Sequence, residues 1–245
     1  MFAFRARVGR ADLAFTDRHD GVSGGAWESL NLGTSNGDDP ALVERNLALV
    51  AESFDTQPSM VARMSQFHGN DVHVVRADHD GSVPRVDALV TDVPGRALLV
   101  RVADCVPVVL VAPDDGVVGV AHAGREGVAN GVAVRAVEAM RGLGARRVEA
   151  WLGPRACAKC YEVPEQMRDR VSSLVAATRA TTRTGTPSLD LGAGLVEQLT
   201  RADVQVNDLA DHRDACTIEG ADDFFSYRRQ GQRSGRLGAL VRWRP

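Results

Sequence analysis

Two short apolar segments near the middle of the chain most constrain its fold. Val108–Ala112 and Val117–Ala121 are rich in β-branched residues, and the turn sequence Pro113–Gly116 separates them. This pattern predicts an antiparallel β-hairpin. A turn centred in that segment sets Cys105 opposite a residue about two positions from His122, a diagonal offset of about 7–8 Å between Cβ atoms. The hairpin therefore predicts a thiol and an imidazole at one end of a β-sheet.

Composition and net charge limit the classes of protein to which this chain can belong. With 245 residues, of which 44% are hydrophobic and 25% charged, the chain can bury a large core. The net charge of −3 argues against a broad basic surface for nucleic acid. Met1–Arg7 contains no apolar signal-peptide core, and no apolar run approaches the roughly 18 residues of a membrane span, so we expect a cytoplasmic protein.

Hydrophobic periodicity predicts alternating strands and helices, which form a mixed sheet flanked by helices in one domain, residues 1–245. Helices are predicted over Pro40–Phe54, Gly127–Leu143, Pro164–Ala177 and Leu191–Ala202. Strands besides the hairpin are predicted over Leu13–Thr16, Val72–Arg76, Ala88–Thr91, Ala97–Val102 and Val148–Leu152, with two more within Phe224–Val241. The threonine-rich segment Thr178–Pro187 is predicted to be a mobile loop.

His68, Cys105 and His122 all lie in turns beside predicted strands. Two imidazoles and one thiolate suit Zn²⁺, and three protein ligands leave the open fourth position that is typical of catalytic sites. The long separations between the three residues match no short zinc motif. Each residue alone also fits a structural role, as a buried cysteine or a hydrogen-bonding histidine.

The other cysteines have weaker signals. Four cysteines are too few for a disulfide scaffold in a chain of this length. Cys157 and Cys160 form a CxxC motif, which can bind zinc or cycle as a dithiol. No second CxxC or histidine pair follows at zinc-finger spacing, so we expect a structural or incidental role for this pair and a packing role for Cys216.

A group of arginines near the C-terminus offers an anion site. Guanidinium groups bind phosphate in a bidentate manner, and Arg228, Arg229, Arg233 and Arg236 lie close together in sequence. The alternative is the solvated tip of a hairpin in an arginine-rich protein.

Several motifs occur in an order that resembles the YfiH-like, or laccase-domain, family. They run along nearly the whole chain and are Ser29–Gly33, Gly37–Pro40, Gln66–Gly69, Asp87–Thr91, Ala103–Val108, Ala121–Gly124, Leu152–Pro154, Cys160–Val163, Leu189–Leu191, Cys216–Thr217 and Phe225–Arg229. The resemblance implies an α+β fold with mixed β-sheets flanked by helices around a cleft. It also implies zinc ligands at His68, Cys105 and His122, the three residues that local reasoning selects.

The same resemblance implies an activity and a cofactor. Family members are associated with zinc-dependent phosphorolysis of adenosine, inosine, guanosine and methylthioadenosine, together with adenosine deamination. Older family names imply copper and phenol oxidation. Four of the six histidines lie outside the trio, and they could not build a multi-site copper cluster; they are His19, His73, His79 and His212.

This chain departs from the family pattern in places. Many members carry Trp-Arg after the AHAG motif, where this chain has Arg125-Glu126. Asn46 is followed by Leu47 instead of the usual arginine, and Lys159 replaces one cysteine of the usual pair before Tyr161. The metal trio is unaffected, but substrate contacts made by the replaced residues are in question.

The resulting hypothesis is that His68, Cys105 and His122 act as catalytic metal ligands for reactions of purine nucleosides and phosphate. Asp104 is assigned to proton transfer or to supporting the ligands, and Arg228 or Arg229 to holding phosphate. One alternative is a metal-free cysteine hydrolase or amidase that uses Cys105 and His122, acting on peptidoglycan precursors. Another is a non-enzymatic, zinc-stabilised interaction module.

Overall fold

The computed structural model describes residues 1–211 and 215–245, so His212 lies outside the described residues. The strands, in chain order, are β1 (Phe2–Val8), β2 (Ala11–Thr16), β3 (Val61–Ala62), β4 (Val72–Val74), β5 (Ala88–Thr91), β6 (Ala97–Val102), β7 (Val106–Ala112), β8 (Val117–Ala123), β9 (Glu149–Leu152), β10 (Arg179–Thr181), β11 (Pro187–Leu189), β12 (Gln205–Asp208) and β13 (Leu237–Trp243). The α-helices are α1 (Pro40–Ser53), α2 (Arg125–Ala129), α3 (Val132–Gly142), α4 (Glu165–Leu174), α5 (Leu191–Arg201) and α6 (Tyr227–Gln230).

Two mixed β-sheets pack against each other at the centre of the described structure. One has the strand order β1-β2-β13-β6-β3 and the other β12-β9-β7-β8-β5-β4, while β10 and β11 form a separate ribbon. Parallel pairs occur at β3–β6, β4–β5 and β9–β12, and the other pairs are antiparallel. The predicted arrangement of mixed sheets flanked by helices is confirmed.

Side-chain alternation divides the core into layers. In β7, Val109 and Val111 face the other sheet, whereas Val108 and Leu110 join a cluster with residues of α3, α4 and α5. On the far side, Leu99 of β6 packs in a cluster with residues of α1. Because both faces of β7 are covered, its sequence is a continuous apolar run without polar alternation.

The predicted hairpin is confirmed as β7 and β8. Val106 pairs with Ala123 and Pro107 with His122 in the antiparallel register. Continuing that register by one pair sets Cys105 opposite Gly124, two positions beyond His122. The thiol and the imidazole therefore lie at the same end of the six-stranded sheet, as the turn position predicts.

Other predicted helices and strands agree closely with the structure, with one interruption. Helix α1 begins after Asp39, whose carboxylate accepts a hydrogen bond from the Ala41 N–H, as expected of an N-cap. The single helix predicted over Gly127–Leu143 is wrong, because it is divided into α2 and α3. Gly131 between them has φ +72°, a left-handed conformation that glycine adopts readily and that ends the first helix.

Two further predictions are wrong, and strands β1, β3 and β12 were not predicted. Thr178–Pro187 is not a loop throughout, because it contains β10 and ends at the first residue of β11, with which β10 pairs. In the turn between these strands, the Thr182 hydroxyl shares hydrogen bonds with the hydroxyls of Thr184 and Thr186. The segment beginning at Phe224 is not a strand; Ser226 instead caps the short helix α6. Strand β1 pairs with β2 at the N-terminus, where its alternating Phe/Ala/Arg pattern is the available signal.

Asp12 on β2 is buried in a cluster of arginines. Its carboxylate accepts hydrogen bonds from Arg7 Nε at 3.0 Å, Arg242 Nη2 at 3.0 Å and Arg244 Nε at 2.5 Å. Burial opposes ionisation of Asp12, but the hydrogen bonds from Arg244, Arg242 and Arg7 outweigh it and lower the pKa of the carboxyl. The ionised carboxylate therefore stabilises the junction of β1, β2 and β13.

Replacing Asp12 with asparagine is expected to lower the free energy of unfolding by about 3 kcal/mol at pH 7, because three guanidinium groups lose their counter-charge. A depressed folded-state pKa gives stability that is present above the unfolded-state pKa of about 4 and is lost as pH falls through the folded-state value. The difference in urea unfolding between wild type and D12N should therefore shrink as the pH is lowered below about 4. Asp55→Asn, at an exposed ion pair with Arg5, is the control and should cost less than about 1 kcal/mol. An equal D12N effect at pH 7 and at pH 3 would contradict the assignment.

Candidate metal centre

The three predicted ligands converge at the end of the hairpin. The imidazole centroids of His68 and His122 are 4.7 Å apart with an edge-to-face orientation, and Cys105 Sγ lies 3.9 Å from His68 Nε2. One ligand atom from each residue lies within 4.8 Å of the others, so the group could hold a metal ion. Tetrahedral zinc with bonds of about 2.0–2.3 Å places its ligand atoms about 3.3–3.8 Å apart. The observed spacing fits this geometry after small side-chain adjustments.

The ligands are presented from unusual backbone conformations. His68 has φ +67° and Asp104, directly before Cys105, has φ +84°. Non-glycine residues adopt this left-handed region infrequently, and it costs about 1–3 kcal/mol where it occurs. The first of these residues is a candidate ligand and the second directly precedes one, and backbone strain is commonly retained at such functional positions.

Asp87 organises the site, although the sequence analysis assigns it no role. Its fully buried carboxylate accepts a hydrogen bond from His122 Nδ1 at 2.8 Å. It also accepts backbone N–H bonds from Phe67 at 3.2 Å, His68 at 3.0 Å and Gly69 at 2.7 Å. One carboxylate therefore fixes the turn that carries His68 and orients the ring of His122. A proton on Nδ1 leaves His122 Nε2 as the nitrogen that can bind a metal.

The electrostatics of the group favour a thiolate. Burial opposes ionisation of Cys105, but the His122 charge and hydrogen bonds from His122 and His68 outweigh it and lower the pKa of the thiol to about 6. Burial likewise disfavours the imidazolium, but the Cys105 thiolate and the bond to Asp87 raise the pKa of His122 to about 9. The thiolate, which is the form that binds metals and attacks electrophiles, is thus stabilised at neutral pH.

A cavity of about 830 Å³ opens in front of the trio. This volume lies within the range of small-molecule sites and can accommodate a nucleoside together with an anion. Its wall combines two phenol rings, four guanidinium groups and two carboxylates, contributed by Tyr161, Tyr227, Arg101, Arg125, Arg228, Arg236, Asp104 and Glu126.

Of the predicted substrate residues, Asp104 and Arg228 line this cavity. The Asp104 carboxylate accepts hydrogen bonds from Thr217 Oγ1 at 2.7 Å and from the Arg228 N–H at 2.6 Å. Arg228 donates from Nη1 to the Glu162 carbonyl at 2.8 Å and lies over the ring of Tyr161 at 5.1 Å. Arg229 lies behind the wall, where its guanidinium donates to the backbone carbonyls of residues 217, 218 and 224. Its contacts are those of a loop-stabilising residue.

Comparison with known proteins places the chain in a family. A family model described as multi-copper polyphenol oxidoreductase laccase matches residues 12–244. The chain belongs to this family. A purine nucleoside phosphorylase of Streptomyces coelicolor is 48% identical over 244 residues, which cover 98% of this chain and 99% of that protein. A purine nucleoside phosphorylase of Corynebacterium glutamicum is 43% identical over 235 residues, which cover 94% and 93%.

Solved structures of family members share the fold. A protein of Neisseria meningitidis is 33% identical with a TM-score of 0.86, and the match covers 99% of each chain. The YfiH protein of Bacillus licheniformis is 26% identical with a TM-score of 0.85, and the match covers 96% of this chain and 93% of that one. The resemblance inferred from the motifs is confirmed.

Among the described residues, no helix is long and apolar enough to cross a membrane.

Two further arginines line the cavity. Arg125 lines the wall and donates to Met167 Sδ at 3.0 Å and to Glu126 Oε1 at 3.1 Å. Arg101 also lines the cavity, and its Nη1 donates to Thr34 Oγ1 at 2.9 Å. Neither arginine stands out in the sequence as a site residue, because Arg125 begins a helix and Arg101 lies within a strand.

Gly124 leaves room for two of the candidate metal ligands. A Cβ at this position would approach His68 Cδ2 to 2.8 Å and Cys105 Sγ to 3.1 Å, although the backbone, with φ −76°, tolerates any residue. Gly124→Ala is therefore expected to displace two ligands and to weaken zinc binding by about 10-fold with little loss of stability. Competition with a chromogenic chelator measures the affinity. Gly142→Ala, with open space around the added methyl group, is the matched control and should bind zinc like the wild type. Unchanged zinc affinity in G124A would contradict the assignment of this trio.

Proposed function

We propose that the protein is a zinc-dependent purine nucleoside phosphorylase. Its proposed substrates are inosine, guanosine, adenosine and methylthioadenosine with phosphate, and adenosine deamination is proposed as a second reaction at the same site. The observation that carries the proposal is the position of the Cys/His trio in the wall of a cavity that four arginines also line. The names of the Streptomyces and Corynebacterium relatives support the same reaction class.

The arginines account for binding of phosphate. Arg228 and Arg236 line the cavity from the C-terminal segment, and Arg101 and Arg125 line it from the sheet and from α2. Burial lowers the pKa of Arg101 to about 10, a value at which the guanidinium keeps its charge at pH 7. Guanidinium groups bind phosphate through paired N–H donors, so this wall can hold and orient the nucleophile.

The aromatic residues account for binding of the purine. Tyr161 and Tyr227 line the same cavity and offer flat surfaces on which a base can stack. Burial, together with the nearby Cys105 charge, raises the pKa of Tyr161, so its hydroxyl stays a hydrogen-bond donor at neutral pH. We propose that such a donor at a purine nitrogen assists departure of the base.

In phosphorolysis an oxygen of phosphate attacks ribose C1′, the bond from C1′ to the purine nitrogen breaks, and the purine leaves with the electron pair and takes up a proton. In deamination, water adds at purine C6 and ammonia leaves. His68, Cys105 and His122 would hold the zinc ion, with Asp87 orienting His122. Bound zinc would supply a Lewis acid that polarises and orients oxygen. Asp104, held by Thr217 and the Arg228 N–H, is a positioning residue for Cys105 in this proposal.

Zinc is proposed over copper because the donor set offers one thiolate and two imidazoles, which zinc accepts readily. Phenol oxidation by a multicopper cluster needs many histidines, and the sequence has six, of which two belong to the trio.

A nucleoside panel with and without phosphate tests the proposal. We expect phosphate-dependent release of hypoxanthine from inosine, guanine from guanosine and adenine from adenosine or methylthioadenosine. We expect release of ammonia from adenosine without phosphate. Base release that is equally fast without phosphate would replace the proposal with a hydrolase.

One specific observation favours a second candidate. Cys105 lies beside His122, whose Nδ1 is oriented by Asp87 at 2.8 Å, an arrangement similar to a cysteine–histidine–aspartate nucleophilic triad. A metal-free hydrolase or amidase acting on peptidoglycan precursors would use this arrangement. Cleavage of muropeptide precursors that survives chelation and is blocked by iodoacetamide would support it. Loss of all turnover on chelation favours the phosphorylase instead.

A further inference from the structure

A second group of metal-binding side chains lies behind the cavity wall. Sγ atoms of Cys157, Cys160 and Cys216 and a carboxylate oxygen of Glu219 all lie within 4.8 Å of one another. Cys216 is buried, and the other two cysteines are half-buried. Four soft or anionic ligands at this spacing match a structural zinc site, in which sulfur atoms lie about 3.8 Å apart around the metal.

The fold builds this group from two distant segments. The backbone N–H groups of Cys160 and Tyr161 both donate to the Cys157 carbonyl, at 3.0 and 2.9 Å, which curls the CxxC into a tight turn. A bridge between Arg155 and Cys216 then brings the third cysteine alongside. The CxxC thus acquires a partner that is far away in sequence.

Charge compensation is also present. Arg183 donates to Cys160 Sγ at 3.7 Å and forms an ion pair with Glu219. A zinc ion with three thiolates carries a net charge of −1, which this guanidinium offsets. If Glu219 stays paired with Arg183, water would be the fourth zinc ligand; if the ion pair breaks, the Glu219 carboxylate would be.

We propose that Cys157, Cys160 and Cys216, with Glu219 or water as the fourth ligand, bind a second zinc ion that stabilises the cavity wall. Cys160 directly precedes Tyr161, and Cys216 directly precedes Thr217, which donates to Asp104. The Ala156 N–H also donates to the Asp104 carbonyl at 3.0 Å. The ion would therefore fix two loops that hold Tyr161 and the residue before Cys105. This inference does not depend on which reaction the cavity performs.

The main alternative for such a group is a redox-active dithiol. Reactive cysteines of such motifs commonly lie at a helix N-terminus. Here Cys157 and Cys160 lie in a turn at which no helix begins, and a third thiol and a carboxylate lie within 4.8 Å of them, as a metal site requires.

Metal analysis of the full-length protein and two variants tests the proposal. We expect two equivalents of zinc per chain in the wild type, and one each in C157S/C160S and in C105S. Cobalt substitution identifies the ligands: C105S should keep most of the thiolate-to-cobalt charge-transfer absorption, because three of the four thiolates remain. C157S/C160S should lose most of it. One equivalent in the wild type that C157S/C160S retains would overturn the proposal.

A second measurement uses only the wild type, in case the double variant does not fold. In native, zinc-loaded protein, Cys157 and Cys160 should resist iodoacetamide and become labelled after chelation, as read by peptide mass spectrometry. Equal labelling with and without zinc would overturn the proposal, and so would a Cys157–Cys160 disulfide in freshly isolated protein.

Discussion

Replacing Cys105 with alanine is expected to lower phosphate-dependent hypoxanthine release from inosine by about 10³-fold or more. The variant keeps His68 and His122 but loses the thiolate, which is the anionic ligand of the trio. Two neutral imidazoles alone bind zinc weakly, so the metal at this site should be lost together with the activity. The measurements are kcat/KM for inosine at saturating phosphate and zinc content by mass spectrometry.

Two further variants test whether the loss of activity is specific to the trio. His122→Ala is expected to behave like C105A, because it removes another ligand and leaves the Asp87 carboxylate buried without its imidazole. His79→Ala removes an imidazole outside the trio and is expected to keep both zinc and activity. Full activity of C105A without zinc at the trio would contradict the proposed mechanism.

Replacing Asp87 with asparagine is expected to weaken zinc binding by about 10–100-fold, the usual effect of losing a carboxylate that orients a histidine ligand. The amide preserves the shape of the side chain but not its charge, and it cannot accept all four hydrogen bonds that the carboxylate receives. Activity should fall in parallel when zinc is limiting.

Adding excess zinc should distinguish D87N from C105A. D87N retains all three ligands, so activity should recover substantially as zinc is added, whereas C105A should not recover. Thermal unfolding should be measured alongside, because the turn at 67–69 loses part of its support. A D87N protein with wild-type zinc affinity and normal activity would show that Asp87 does not position His122.

The hairpin and the proximity of Cys105 to His122 could be predicted because their signals are local, whereas His68 was added as the third ligand by the resemblance to the family. The turn at Pro113–Gly116 fixes the register of β7 and β8, and the register fixes which residues lie near His122. Helix α1 could be predicted for the same reason, since Asp39 and Pro40 define its start and the apolar spacing defines its buried face. In each case a few neighbouring residues determine the structure.

The remaining features depend on contacts between distant segments. Asp87 reads as the residue before an apolar strand, and nothing nearby in sequence shows that its carboxylate meets His122 and the turn of His68. Cys216 reads as a packing residue until the bridge at Arg155 sets it beside Cys157 and Cys160.

The division at Gly131 and the strands β10 and β11 were missed for a different reason. Helical periodicity continues across Gly131, so only its left-handed backbone reveals the break. The threonine-rich segment has turn-like composition, yet Thr178 and Leu189 are buried and its ends pair as strands. Tertiary burial outweighs local propensity there.

The most direct test is to follow inosine conversion by protein with zinc at the His68, Cys105 and His122 site, with and without phosphate. We predict hypoxanthine and ribose 1-phosphate in equal amounts with phosphate, no hypoxanthine without it, and loss of the reaction when that zinc is removed. Free ribose and hypoxanthine in phosphate-free buffer, or an undiminished reaction in zinc-free protein, would contradict the proposed function.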